Sequence, residues 1–107
     1  MMQNISVSQS FDKRKQNSGI PLIDVRTPAE YGSIHADGAV NHPMESLQVE
    51  KLPFSKEVEI HVICQSGGRS MKVSQKLEAV GFTNIVNIEE GELQNGMRWV
   101  PSWRGRK

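Results

Sequence analysis

The chain has 107 residues, with 13 Lys and Arg against 12 Asp and Glu, and 36% of its residues are hydrophobic. That length suits one domain, 1–107. A net charge of +1 gives no basic footprint for nucleic acid or an anionic membrane surface, so neither partner is expected. No apolar stretch approaches the roughly 18 residues of a membrane span. Met1-Met2-Gln3-Asn4-Ile5-Ser6 lacks the apolar run of a secretory signal, and a cytoplasmic protein is expected.

A single cysteine, Cys64, excludes an intramolecular disulfide and a cysteine-based zinc cluster. His35, His42 and His61 show no metal-ligand spacing. Cys64 is therefore a buried apolar filler or a reactive thiol, and its neighbours decide between the two.

In chain order, residues 8–17 read as a polar helix anchored by Phe11 and closed by Gly19. Residues 20–25, Ile-Pro-Leu-Ile-Asp-Val, form an apolar, β-branched run typical of a buried strand. Thr27-Pro28-Ala29-Glu30 then predicts a helix start, with Thr27 as N-cap, Pro28 first in the helix and Glu30 completing a capping box. A short strand follows at 38–41, a helical turn or two at 44–49, and a loop at Pro53 and Ser55. The run 58–63, Val-Glu-Ile-His-Val-Ile, predicts a strand buried on both faces. Residues 70–80 carry Val73, Leu77 and Val80 at helical spacing, with Gly81 as the cap. Residues 85–88 give a third strong strand. Strands alternating with helices predict an α/β domain with a mostly parallel sheet and helices on both faces. Chemistry in such folds sits beyond the carboxyl ends of strands, here after Val25 and after Ile63.

Cys64-Gln65-Ser66-Gly67-Gly68-Arg69-Ser70 runs from strand to helix through a tight turn. Gly67 and Gly68 allow backbone angles that turn successive N–H groups inward as an anion nest. The helix that follows adds unpaired N–H groups and the positive end of its dipole. Arg69 supplies a permanent cation if it turns inward. Cys64 stands in the same field, which favours a thiolate. A cysteine-phosphatase loop is one residue longer between Cys and Arg. The four residues here, Gln65 to Gly68, suit a single sulfur atom on Cys64 better than a phosphoryl group.

These segments resemble the single-domain rhodaneses, over roughly residues 20–91. Asp24-Val25-Arg26-Thr27-Pro28-Ala29-Glu30-Tyr31 resembles the family's Asp-Val-Arg-x-x-x-Glu-Tyr/Phe. His35-Ala36-Asp37-Gly38-Ala39-Val40-Asn41 resembles its Gly-His-Ile-x-Gly-Ala-x-Asn, although Ile34, Ala36 and Asp37 depart from it. The Cys64–Ser70 loop matches Cys-x-x-Gly-x-Arg-Ser, and Gly81-Phe82 with 84–88 matches the later strand. Glu89-Glu90-Gly91 stands where the family tends to have two glycines and then Trp, so the tail 92–107 is atypical.

The resemblance implies a doubly wound, mostly parallel five-stranded sheet and a persulfide mechanism needing no cofactor. Cys64 would take sulfur from thiosulfate or a related sulfane donor and pass it to cyanide, a thiol or a protein acceptor. Residues Gln65, Ser66, Gly67, Gly68, Arg69 and Ser70 would bind the substrate. An alternative is a sulfur-relay module fed by a partner protein's persulfide. A cysteine phosphatase or arsenate reductase is disfavoured by the loop length, and a silent binding domain by the presence of the cysteine.

Other residues carry two readings. Asp24 reads as structural rather than catalytic. Arg26 either draws in an anionic donor or pairs with Asp24 or Glu30. Glu30 is first a capping residue and second a partner for Arg69. His35 reads as a core or turn histidine rather than a general base. Trp99 and Trp103 are expected to pack the end of the domain, with Arg98, Arg104 and Arg106 solvated. An uncharged Gln65 points to a modest thiosulfate enzyme or a different donor.

Overall fold

The computed structural model describes residues 2–64 and 68–89, and the backbone of 99–101. Strands β1 (Gln3–Ile5), β2 (Leu22–Asp24), β4 (Val40–Asn41), β5 (Ile60–Ile63) and β6 (Ile85–Ile88) form one sheet in the order β1-β6-β5-β2-β4. All four pairings are parallel. A second, antiparallel pair joins β3 (Ile34–Ala36) to β7 (Trp99–Pro101). No helix among the described residues is long and apolar enough to cross a membrane.

Strands β2, β5 and β6 are buried at every position, as expected of strands covered on both faces. On one face Ile23, Ile60, Val62, Cys64 and Ile85 pack with Val73 and Leu77 of α3 (Gly68–Ala79). On the other, Leu22, Ile63 and Ile88 pack with Val7 of α1 (Val7–Gln16), and Tyr31 of α2 (Pro28–Ser33) rests against that cluster. Burying a Leu, Ile or Val contributes roughly 1.5–3 kcal/mol, so these two cores hold the sheet between its helices.

The β2–α2 junction forms as its sequence demands. The Thr27 hydroxyl accepts from the Glu30 N–H, and the Glu30 carboxylate accepts from the Thr27 N–H. Gly81 stops α3 with φ at 106°, a conformation that side-chain-bearing residues rarely take.

Four expectations need correction. Helix α1 begins at Val7 with a Ser6/Gln9 capping box, and its C-cap is Asn17 rather than Gly19. Its fully buried residues are Val7 and Ser10, while Phe11 is only half-buried. Of the helical turn or two expected at 44–49, a turn forms at 44–46 and the 3-10 helix lies later, at Val49–Lys51. Strands β1 and β3 fall where none was expected.

Candidate active site

The chain leaves β2 for β4 on one side of the sheet and leaves β5 for β6 on the other. The ends of β2 and β5 thus border the crevice where doubly wound folds bind ligands. Val25 N–H donates to Ile63 O at 3.1 Å, which sets the β2 exit beside Cys64. Cys64 is fully buried, with its side chain on the α3 face.

The head of α3 comes directly to the sulfur. Ser70 N–H donates to Cys64 Sγ at 3.3 Å, and the thiol lies 3.5 Å from the Ser70 hydroxyl as its donor. A first-turn N–H has no carbonyl partner within its own helix, and here that spare donor is spent on sulfur. Such a donor, with the helix dipole behind it, favours negative charge at Sγ and on any atom bonded to it.

Gly68 is the first residue of α3 and does not take a left-handed φ. Gly68 supplies the start of a helix, and a Cβ there would meet nothing within 4 Å among the described residues. Gln65, Ser66 and Gly67 lie outside the described residues, as do Trp103, Arg98, Arg104 and Arg106.

Arg69 and Glu30 are joined across the crevice. The Glu30 carboxylate accepts from Arg69 Nη1 at 2.9 Å and Nη2 at 3.2 Å. It accepts further from the Thr27 N–H and hydroxyl. The Arg69 guanidinium and then the Thr27 N–H hold its carboxyl down to about 2, and Glu30 in turn raises Arg69. The ion pair therefore ties α2 to the head of α3.

Asp24 and Arg26 form a closed, buried pair. Arg26 donates from Nε to both Asp24 oxygens and from Nη2 to Oδ2 at 2.8 Å, while its own N–H caps Oδ1. Nη2 also donates to Ile34 O at 2.7 Å. With Arg26 5% exposed and Asp24 fully buried, the pair closes the β2–α2 turn, in line with the pairing reading of Arg26. Asn41 was not singled out in the sequence, yet its amide clamps the same turn by donating to Asp24 O and Arg26 O. His35 sits buried in β3, stacked on Tyr31 at 3.8 Å with Nδ1 on Tyr31 O. Among the described residues, no group of three His, Cys, Asp or Glu could hold a metal ion.

The sequence model of the rhodanese-like domain matches residues 7–93. Thiosulfate sulfurtransferase 16, chloroplastic, of Arabidopsis thaliana is 36% identical over 86 residues, covering 69% of this chain and 72% of that one. A sulfurtransferase of Allochromatium vinosum is 28% identical over 101 residues, 94% of each chain. Two other curated relatives are longer proteins, and this chain spans about half of each, 51% and 47%. The crystal structure of a rhodanese-like domain protein from Staphylococcus aureus superposes with a TM-score of 0.75 at 28% identity, covering 91% of this chain and 97% of that one. By its sequence match and its fold alike, the chain belongs to the rhodanese-like domain family.

Proposed function

We propose that the domain is a persulfide-forming sulfurtransferase acting at Cys64 on thiosulfate or a related sulfane donor. The Cys64 thiolate attacks the outer sulfur of thiosulfate. The bond between the two thiosulfate sulfurs breaks, and its electron pair leaves with sulfite. Cys64 then carries one extra sulfur atom bearing the negative charge. A nucleophile such as cyanide or a thiol attacks that outer sulfur and returns Cys64 as thiolate, which gives ping-pong kinetics.

The observation that carries this reading is the Ser70 N–H donated to Cys64 Sγ at the head of α3. It supplies a fixed donor where charge rests in both half-reactions, in the manner of an oxyanion hole. The Arabidopsis relative's name adds support for thiosulfate as donor. No general acid or base is needed for a thiolate attacking a sulfane sulfur.

The test is intact mass after incubation with thiosulfate, beside Cys64→Ser. The expected result is an increase of one sulfur atom, absent from the variant and removed by cyanide. Full-length protein that gains no sulfur would end the thiosulfate reading and turn attention to protein-borne donors.

A further inference from the structure

Four charged side chains stand at the two strand exits: Asp24, Arg26 and Glu30 where the chain leaves β2, and Arg69 in the loop that leaves β5. They cancel in pairs, Arg26 on Asp24 at 2.8 Å and Arg69 on Glu30 at 2.9 Å. Gln65, Ser66, Gly67, Gly68 and Ser70 carry no charge, so the loop's single cation is already matched by a carboxylate from α2. Glu30 keeps its charge, because the Arg69 guanidinium and the Thr27 N–H hold its carboxyl down to about 2.

This second pair lies within the field of the nucleophile. Arg69 directly precedes Ser70, whose N–H meets Cys64 Sγ at 3.3 Å. The hold of Arg69 on its proton is raised first by its hydrogen bonds to Glu30, and more weakly by charge on Cys64. With Glu30 and Arg69 balanced, the positive element left at the sulfur among the described residues is the head of α3, equivalent to about half a charge. That offsets part of one negative charge and little of a second. A thiolate attacking thiosulfate gathers three negative charges, whereas attack on a singly charged sulfane donor gathers two. The extra charge loses water beside Glu30 with no cation of its own, which is costly.

We propose that Glu30 is a specificity-determining residue: by matching Arg69 it turns the site from doubly charged donors toward sulfane donors that carry one negative charge. The inference rests on the persulfide reading and narrows its donor class to anions such as an organic thiosulfonate or persulfide. In either case the Cys64 thiolate bonds to the donor's terminal sulfur. The bond behind that sulfur breaks, and its electron pair leaves on the sulfinate or thiolate. One negative charge stays on the new Cys64 persulfide and one departs, so no oxidant, reductant or proton is needed. Glu30 takes no part in the step and acts through Arg69.

Two measurements test this. In the first, loading of Cys64 is timed with thiosulfate and with methanethiosulfonate, a singly charged donor of the same kind of sulfur, in the parent protein and in Glu30→Gln. The readout is the ratio of the two second-order rate constants, in which any loss of folded protein cancels. The thiosulfate-to-methanethiosulfonate ratio should rise by about threefold to fivefold in the variant, the effect of one charge at a partly exposed site. If Glu30 instead aims Arg69 at thiosulfate, the ratio falls. If its role is only structural, the ratio does not move. Either result overturns the proposal.

In the second, isotope-labelled Cys64→Ser protein, with and without Glu30→Gln, is titrated with sulfate and with methanesulfonate while the Arg69 and Ser70 amides are followed. Neutralising Glu30 should tighten sulfate by about threefold to fivefold more than methanesulfonate. Equal gains, or no shift of these amides with either anion, overturn the proposal. This arm involves no sulfur transfer. It decides the charge preference even if neither donor loads Cys64, the result that would end the persulfide reading instead.

Discussion

Glu30 and Arg69, 39 residues apart in sequence, are joined by hydrogen bonds of 2.9 and 3.2 Å. The pair bridges the first turn of α2 to the first turn of α3. Glu30→Gln isolates its charge, because glutamine still serves a capping box. Both side chains are 31% exposed, so the expected cost at neutral pH is at most about 1 kcal/mol. The folded carboxyl sits at about 2 against an ordinary 4.5. Its contribution is complete above the ordinary value and is lost as pH falls toward about 2. Urea unfolding of both proteins should therefore show a gap at pH 7 that narrows below about pH 4.5. A gap that widens in acid would rule out the ion pair as its source.

Asp24→Asn should be far more damaging. It removes the charge from a fully buried carboxylate that holds a nearly buried guanidinium. Breaking one side of such a pair costs about 3–5 kcal/mol, because the other charge stays buried. Arg26→Lys should also destabilise, since an ammonium cannot reproduce the fork that meets both Asp24 oxygens and Ile34 O. Were Arg26 a donor-binding residue, Arg26→Lys would instead raise the KM for thiosulfate with stability unchanged. Denaturation midpoints measured beside thiosulfate kinetics separate the two.

His61 makes acid sensitivity a property of the opposite face. Arg14 Nε–H donates to Ser10 Oγ at 3.2 Å, Ser10 shares 2.6 Å with His61 Nδ1, and His61 Nε2 meets Glu59 Oε2 at 2.7 Å. Lys13 completes the row on Glu59 at 3.0 Å. These partners assign the imidazole proton to Nε2, with the Ser10 hydroxyl donating to Nδ1. Burial lowers the affinity of His61 for a second proton, outweighing Glu59. The unfolded chain then binds more protons as pH falls below about 6.5, so stability declines in that direction, by at most about 1.4 kcal/mol per pH unit. His61→Gln should remove the part of the slope between pH 7 and 5. An unchanged slope in the variant would assign it to other groups. Glu59 is lowered as well, and its loss follows below its ordinary 4.5.

The sequence made the site's skeleton legible because its signals are local. Continuous apolar runs mark β2, β5 and β6, and Thr-Pro-x-Glu fixes the head of α2. What escaped depends on partners far along the chain. β1, Gln-Asn-Ile, has no pattern of its own and is a strand because it pairs with β6 at the sheet edge. β3 likewise exists through β7. His61 looked like one polar letter in an apolar run, and only α1 docking supplies its Ser10 partner. One local signal was overlooked: Ser6 and Gln9 form a capping box three residues apart, which sets the start of α1.

Gly68 is the site residue that opens α3. With an ordinary φ, a helical position and open space at Cβ, alanine should be accepted there. Gly68→Ala should leave the melting temperature unchanged or raise it, with a gain of up to about 1 kcal/mol from the stiffer chain. A loss above about 1 kcal/mol, or an unfolded variant, would show that this position needs glycine itself.

Ser70 meets the sulfur twice, and Ser70→Ala separates the two contacts. The N–H at 3.3 Å belongs to the backbone and survives the substitution, while the hydroxyl at 3.5 Å does not. If the helix-head N–H carries the stabilisation of charge on Cys64, loading by thiosulfate should slow only by about threefold to tenfold, the value of one neutral hydrogen bond. If the hydroxyl carries it, the rate should fall by roughly a hundredfold or more, as when an oxyanion-hole donor is deleted. The fully buried position also predicts a stability loss of about 1 kcal/mol, so the rate must be read on folded protein. Stopped-flow loading below the melting range, with sulfur uptake confirmed by mass, gives that rate. The smaller effect is expected, because the N–H is the shorter contact and is aligned with the dipole of α3.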